Sequence, residues 1–243
     1  MKVKELFRKK ALDNINEGAV TIAFLGDSVT QGCFEIYQEG EKILTVFDNE
    51  HAYYNCLRKI FGYIYPSVPI NIIKAGISGV STPHGVKRLE QDVLRFQPDL
   101  VVVCYGLNDV TAGLANIGRY KEALAELFSR LKETQTEVVF MTPNMLNTRV
   151  SPFLTGRQSI SVAERTCKLQ NEGVMDTYMD AAREVCKEYN VRVCDCYRKW
   201  KLLAESGVDT TSLLCNHINH PSREMSWLFA VSLVETMMTD EDL

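Results

Sequence analysis

The chain has 243 residues, 46% hydrophobic and 24% charged, with a formal net charge of -4. That balance supports a sizeable core and excludes gross disorder. The slight acidic surplus excludes the basic stripe of a nucleic-acid-binding protein, and no apolar run approaches the length of a membrane span.

In chain order, the N-terminus reads MKVKELFRKKALDN. It is positively charged but no apolar h-region follows, so no secretory signal is expected and a cytoplasmic location follows as the default. Residues 1–18 read as an N-terminal helical extension of one domain spanning 1–243. The eight cysteines are scattered without a CxxC pair, so free buried thiols are expected. Five runs read as strands: Val20–Leu25, Ile70–Lys74, Leu100–Cys104, Glu137–Met141 and Val191–Cys194. Three are near-continuous Val/Ile-rich runs, as in a parallel sheet covered on both faces. The last is short and interrupted by Arg192, as suits an edge.

Helical spacing fills the intervals. Val86, Leu89, Val93 and Phe96 recur every three or four residues between Ser81 and Phe96, and Pro98 closes that segment. Tyr120, Leu124, Leu127, Phe128 and Leu131 form a second stripe, and Met175, Met179, Ala182, Val185 and Tyr189 a third. His220-Pro221 opens a final helical stretch, with Trp227, Leu228, Val231 and Val234 available for its inner face. The least regular stretch is Pro143 to Lys168, part of which is open to a helical reading. The alternation predicts a three-layer α/β/α sandwich around a five-stranded parallel sheet.

In such a sheet ligands bind outside the carboxyl ends of the strands, and polar clusters fall there. After the first strand comes Gly26-Asp27-Ser28-Val29-Thr30-Gln31-Gly32; Ser28 reads equally as a nucleophile and as a helix cap. After the second comes Ala75-Gly76-Ile77-Ser78-Gly79, where Gly79 could present a bare N–H or simply make a turn. After the third comes Gly106-Leu107-Asn108-Asp109, where the Asn108 amide suits a developing negative charge or an Asx-turn. Near the C-terminus, Cys215-Asn216-His217-Ile218-Asn219-His220-Pro221 holds two of the four histidines, and His220 is the best-placed base. Together the clusters describe acyl transfer: Ser28 attacks, His220 shuttles its proton, and the N–H groups of Ser28 and Gly79 with the Asn108 amide form the oxyanion hole. A metal reading of Cys215, His217 and His220 lacks a fourth ligand and a standard zinc spacing.

These blocks resemble those of the SGNH hydrolases, the GDSL-type esterase/lipase family: GDS at Gly26–Ser28, GISG at Gly76–Gly79, GLND at Gly106–Asp109 and His220-Pro221. The matches run in family order from residue 20 to about 235. The resemblance implies a flavodoxin-like fold, Gly79 and Asn108 as oxyanion donors, and ester hydrolysis without metal or organic cofactor. One departure concerns the acid that orients the histidine: the family's Asp, three residues before it, is here His217. Three substitutes are open, namely a backbone carbonyl accepting the Nδ1 proton, the side-chain oxygen of Asn216, or a distant carboxylate such as Asp195 or Asp209.

The segment after the fourth strand is expected to overhang the site, with Asn144 and Asn147 binding a polar acceptor and Arg149 an anionic group. A small ester carrying a short acyl group, such as acetyl on a carbohydrate, is the expected substrate, with no membrane or nucleic-acid partner. A catalytically weakened binding protein of the same fold and an acyltransferase are the competing readings.

Overall fold

The computed structural model describes residues 1–39, 42–134 and 136–239. Its centre is a five-stranded sheet of order β4-β1-β5-β6-β7, formed by β1 (Val20–Gly26), β4 (Ile70–Gly76), β5 (Leu100–Cys104), β6 (Glu137–Met141) and β7 (Arg192–Cys194). Every pairing within it is parallel. The Val/Ile run of β5 is buried along its whole length and β1 along nearly all of it, because helices cover both faces of these central strands. Polar residues of β4 and β7 lie at the two edges, where one side of the ladder is open.

On one face α3 (Tyr53–Ile64) and α9 (Ser226–Met238) pack together, joined by α1 (Lys2–Leu12) and α8 (Cys196–Glu205). Phe24 of β1 packs against Tyr53 and Tyr54, and Tyr53 against Phe229. On the other face α4 (Thr82–Asp92) packs on α5 (Ile117–Glu133), α5 on α7 (Val174–Glu188) and α7 on α6 (Arg157–Asn171). Tyr120 meets Tyr178 there and Phe128 meets Phe140. The result is a three-layer, flavodoxin-like α/β/α sandwich with one continuous core running from Val3 to Met237. No helix among the described residues is long and apolar enough to cross a membrane.

The structure corrects several sequence expectations. The last helix starts at Ser226, not at His220-Pro221; those two lie in the loop before it, where Leu214 and Pro221 form an isolated antiparallel bridge. Its inner face is Phe229, Ala230, Leu233 and Met237, while Trp227 and Val231 are 40% and 46% exposed. The helix is apolar nearly all round, so periodicity could not single out its buried stripe. Phe96 sits in a 3-10 turn after α4 and is exposed. The helical reading left open for part of Pro143–Lys168 is met by α6, most of which lies within it. A hairpin of β2 (Cys33–Glu39) and β3 (Lys42–Phe47) and the helix α3 were not anticipated.

One short element sets the site. The helix α2 (Ser28–Gln31) is a single turn between Gly26 and Gly32. It lies so close to β4 that a Cβ on Gly76 would come within 2.2 Å of the Gln31 nitrogen. Only glycine lets that turn seat against the sheet.

Candidate active site

Gly26 ends β1, and Asp27 caps α2 by accepting the Val29 N–H at 3.1 Å. Ser28 is therefore the first residue of α2, where a backbone N–H has no partner within the helix. Its Oγ lies 2.9 Å from Nε2 of His220, and both residues are buried. The other ring nitrogen, Nδ1, lies 2.8 Å from the backbone carbonyl of Phe34 on β2. A carbonyl can only accept, so Nδ1 carries the proton, and the neutral ring presents Nε2 as an acceptor to the serine hydroxyl. Burial pulls the His220 imidazole below its ordinary value, against the Phe34 carbonyl and the Glu35 charge, which raise it. The ring is thereby neutral, and able to take a proton, at neutral pH.

The loop after β4 is tied to α2. Gln31 Oε1 accepts from the Ser78 N–H at 2.6 Å and from the Ser78 hydroxyl at 2.8 Å. Gly79 follows with φ 75°, a left-handed conformation that favours glycine, and open space surrounds the position its Cβ would take. Asn108 follows β5 and donates one amide N–H to the Val80 carbonyl at 2.9 Å, which fixes the amide beside the Gly79 turn. The second N–H of that amide is available to another acceptor. Asp109 receives the Thr82 N–H at 3.0 Å and so anchors the start of α4. Burial pushes the Asp27 carboxyl up to about 7, with the Asp109 charge adding to the rise, and burial pushes the Asp109 carboxyl up to about 6. Beneath the crevice Arg88, from α4, donates to the carbonyls of Gly26 (2.8 Å) and Ala75 (2.5 Å) and to the Tyr105 hydroxyl (3.0 Å). That one guanidinium joins the carboxyl ends of β1, β4 and the turn after β5.

The proposed orienting side chains are placed elsewhere. Asn216 accepts three backbone N–H groups, those of Ile218, Asn219 and His220, at 2.9–3.0 Å. It shapes the loop and does not touch the imidazole. His217, at the family's acid position, adopts φ 56°, and its ring lies 5.9 Å from that of Phe153. Asp195 caps α8 and pairs with Arg183, and Asp209 pairs with Arg149. The Phe34 carbonyl alone meets Nδ1 as an oxygen acceptor among the described residues.

In the expected substrate loop the two asparagines turn inward. Asn144 and Asn147 are fully buried. Asn144 donates to the Met145 and Asn219 carbonyls, and Asn147 to those of Arg149 and Ala163. Arg149 is engaged with Asp209 at 2.5 Å. Backbone polar groups in this buried segment need partners, and these side chains supply them. The segment's most exposed large apolar side chain is Phe153, at 76%.

Residues that sequence reasoning missed cluster around the hairpin. Arg223 donates to Glu35 (2.5 and 3.1 Å) and to Asp48 (2.8 Å), and its guanidinium lies 4.5 Å from the centroid of the Phe34 ring. Glu35 is held below the usual carboxylate range by Arg223. Burial works the other way at Asp48, but its bonds from Arg223 and His51 win and lower it as well. The Cys33 thiol lies 3.6 Å from His220 Nδ1, and burial pushes it up to about 11, so it is an unreactive wall at neutral pH. Among the described residues no group of three or more His, Cys, Asp or Glu side chains is arranged to hold a metal ion. A cavity of about 720 Å³ lies at the far end of the sheet, against Glu137 and Arg192, and a small one of about 80 Å³ reaches Asn108.

Comparison with known proteins gives a consistent set. Residues 24–228 match the model of the GDSL-like Lipase/Acylhydrolase family. An acetylxylan esterase of Geobacillus stearothermophilus is 27% identical over 131 residues, 50% of this chain and 58% of that protein, so the similar segment spans little more than half of the relative. The crystal structure of an acetylxylan esterase from the same organism superimposes with a TM-score of 0.68 at 18% identity, covering 92% of this chain and 96% of the other. A two-domain esterase active on acetylated mannans gives 0.65 at 19% identity, over 98% of this chain and 54% of the other.

Proposed function

The chain belongs to the GDSL-like lipase/acylhydrolase family, and from that premise we propose that it is a serine esterase removing short acyl groups, acetyl above all, from carbohydrate. The observation that carries the reading is the relay Ser28 Oγ to His220 Nε2 at 2.9 Å, with Nδ1 committed to the Phe34 carbonyl at 2.8 Å. In this mechanism Ser28 Oγ attacks the acyl carbon while His220 Nε2 takes its proton. The carbonyl oxygen becomes an oxyanion met by the N–H groups of Ser28 and Gly79 and the free N–H of Asn108; each such donor is worth about 3–4 kcal/mol in the transition state. His220 returns the proton to the leaving alcohol, the acyl group stays on Ser28, and a water activated by the same imidazole releases it as the acid. Every step uses groups of the chain itself.

Supporting the substrate class are the polar crevice wall of Ser78 and Asn108 and the acetyl-sugar esterases among its relatives. The burial of six of the eight cysteines in the core suits a reducing compartment, and we assign the cytoplasm. The deciding experiment is a panel of p-nitrophenyl esters and acetylated xylo- and manno-oligosaccharides, with fluorophosphonate labelling of wild type and Ser28→Ala. Acetate turnover exceeding that of long-chain esters, with labelling lost in the variant, is expected. Faster cleavage of long chains would overturn the substrate class, and absence of labelling in folded wild type would overturn the esterase itself.

A further inference from the structure

We infer that Arg223 is the positioning residue that takes over the work of the missing acid, by clamping the Phe34 carbonyl against Nδ1 of His220. The inference rests on the Ser28–His220 reading above.

The carbonyl belongs to a two-stranded hairpin outside the main sheet. Such a hairpin is only marginally stable without packing. Ile36, Tyr37, Ile43, Leu44 and Phe47 on it are 40–56% exposed, so apolar burial holds its outer part weakly. An oxygen that must stay 2.8 Å from Nδ1 needs another anchor.

Arg223 supplies one from both sides of the bond. It lies three residues beyond His220, in the same loop. Its Nη1 and Nη2 form a fork on the Glu35 carboxylate, next to Phe34; its Nε reaches Asp48, just past the end of β3; its plane covers the Phe34 ring. One guanidinium thus ties together the two strands where β2 begins and β3 ends, and covers the side chain of the residue whose carbonyl is used. Only a planar, multi-donor cation satisfies two carboxylates and a ring face together; an ammonium cannot. The groups facing the imidazole are the Ser28 hydroxyl from α2, the Cys33 thiol and the Phe34 carbonyl from β2, and the Glu35 charge beyond them. The imidazolium formed during catalysis therefore meets one neutral oxygen at contact distance and one carboxylate further off, the latter shared with Arg223.

The test compares Arg223→Gln and Arg223→Lys with wild type by steady-state kinetics and by ¹⁵N–¹H NMR of the imidazoles, with the His220 signals assigned by their loss in His220→Gln. In Arg223→Gln kcat falls about 10- to 100-fold with KM little changed, the penalty of a small misplacement of a reacting group. Its Nδ1–H resonance broadens or exchanges away. Arg223→Lys recovers part of kcat through the remaining charge on Glu35. Wild-type kcat together with an intact Nδ1–H signal in Arg223→Gln would overturn the clamp; if that variant does not fold, the same pair of results in Arg223→Lys would do so. Should wild type cleave no ester, the esterase reading fails, while the imidazole spectra still decide the clamp.

Discussion

At the scale of single residues, the site is defined by which atom each group offers. His220 Nε2 is the acceptor only because Nδ1 carries the ring proton and donates it in a hydrogen bond to the Phe34 carbonyl. Ser28→Ala and His220→Ala should each reduce kcat by about 10⁴-fold or more, as loss of either member of such a unit does, measured on p-nitrophenyl acetate. His217→Asp restores the family's residue type but not its contact, since Nδ1 is already taken and residue 217 lies against Phe153. We expect no rise in kcat from it; a clear rise would mean that the carboxylate reaches the imidazole. The pH profile follows from burial. Because His220 is pulled below its ordinary value, the acid limb of kcat/KM should have its midpoint below about 6.5. At this scale the sequence marks Ser28, Asn108 and His220 by their side chains and Gly79 by the conformational freedom of glycine, and the fold brings these four to one end of the sheet. It was silent on Phe34, because a backbone carbonyl leaves no signature in residue identity. At Asn147 the amide instead donates to the backbone carbonyls of Arg149 and Ala163, and Arg149 is paired with Asp209.

At the scale of elements, the crevice depends on α2 sitting hard against β4. A methyl on Gly76 would meet the Gln31 nitrogen at 2.2 Å and the Thr30 carbonyl carbon at 2.4 Å, both backbone atoms that cannot swing aside. Gly76→Ala should cost about 1–3 kcal/mol in urea unfolding, the range for overpacking, and should lower kcat as well, because α2 carries Ser28. The strand ends also carry a pH signature. Asp27 rises to about 7 and Asp109 to about 6 in the folded chain. A carboxyl raised by folding binds its proton more tightly in the native state. Its stabilising effect is full below about 4 and is lost as pH climbs to the folded value. Asp27→Asn keeps a capping oxygen for the Val29 N–H but removes this titration. Its unfolding free energy should vary less between pH 4 and 7, by up to about 1.4 kcal/mol per pH unit, one proton's worth. The central strands β1, β5 and β6 were legible because buried parallel strands are near-continuous apolar runs. The hairpin was not, because Cys33 and Phe34, its two buried residues among those described, are adjacent rather than alternating, and Ile36, Tyr37, Ile43, Leu44 and Phe47 are exposed, so no period of two is left to read.

At the scale of the whole molecule, the N-terminal segment decides how far cooperativity extends. The sequence reading treated residues 1–18 as an extension, yet α1 is built into one face of the sandwich. Val3 and Phe7 are fully buried, and Phe7 stacks on Phe61 at 4.4 Å and on Tyr65 at 5.2 Å. Glu137, at the start of β6, accepts the N–H groups of Lys2 and Val3 and so caps the helix from the sheet. A helix of this length is marginal alone; its order comes from this docking. The docking lies beneath the end of the sheet opposite Ser28, since Glu137 begins β6 while the site follows the carboxyl ends of the strands. Phe7→Ala should therefore destabilise by about 3–5 kcal/mol, the range for truncating a buried aromatic ring, with unfolding still a single transition by circular dichroism and by tyrosine fluorescence. Its kcat at 25 °C should stay near wild type, because none of the contacts around His220 involves α1. A biphasic transition would instead mean that α1 melts separately from a core that holds without it, and a fall in kcat would mean that the packing of α1 reaches the relay through α9.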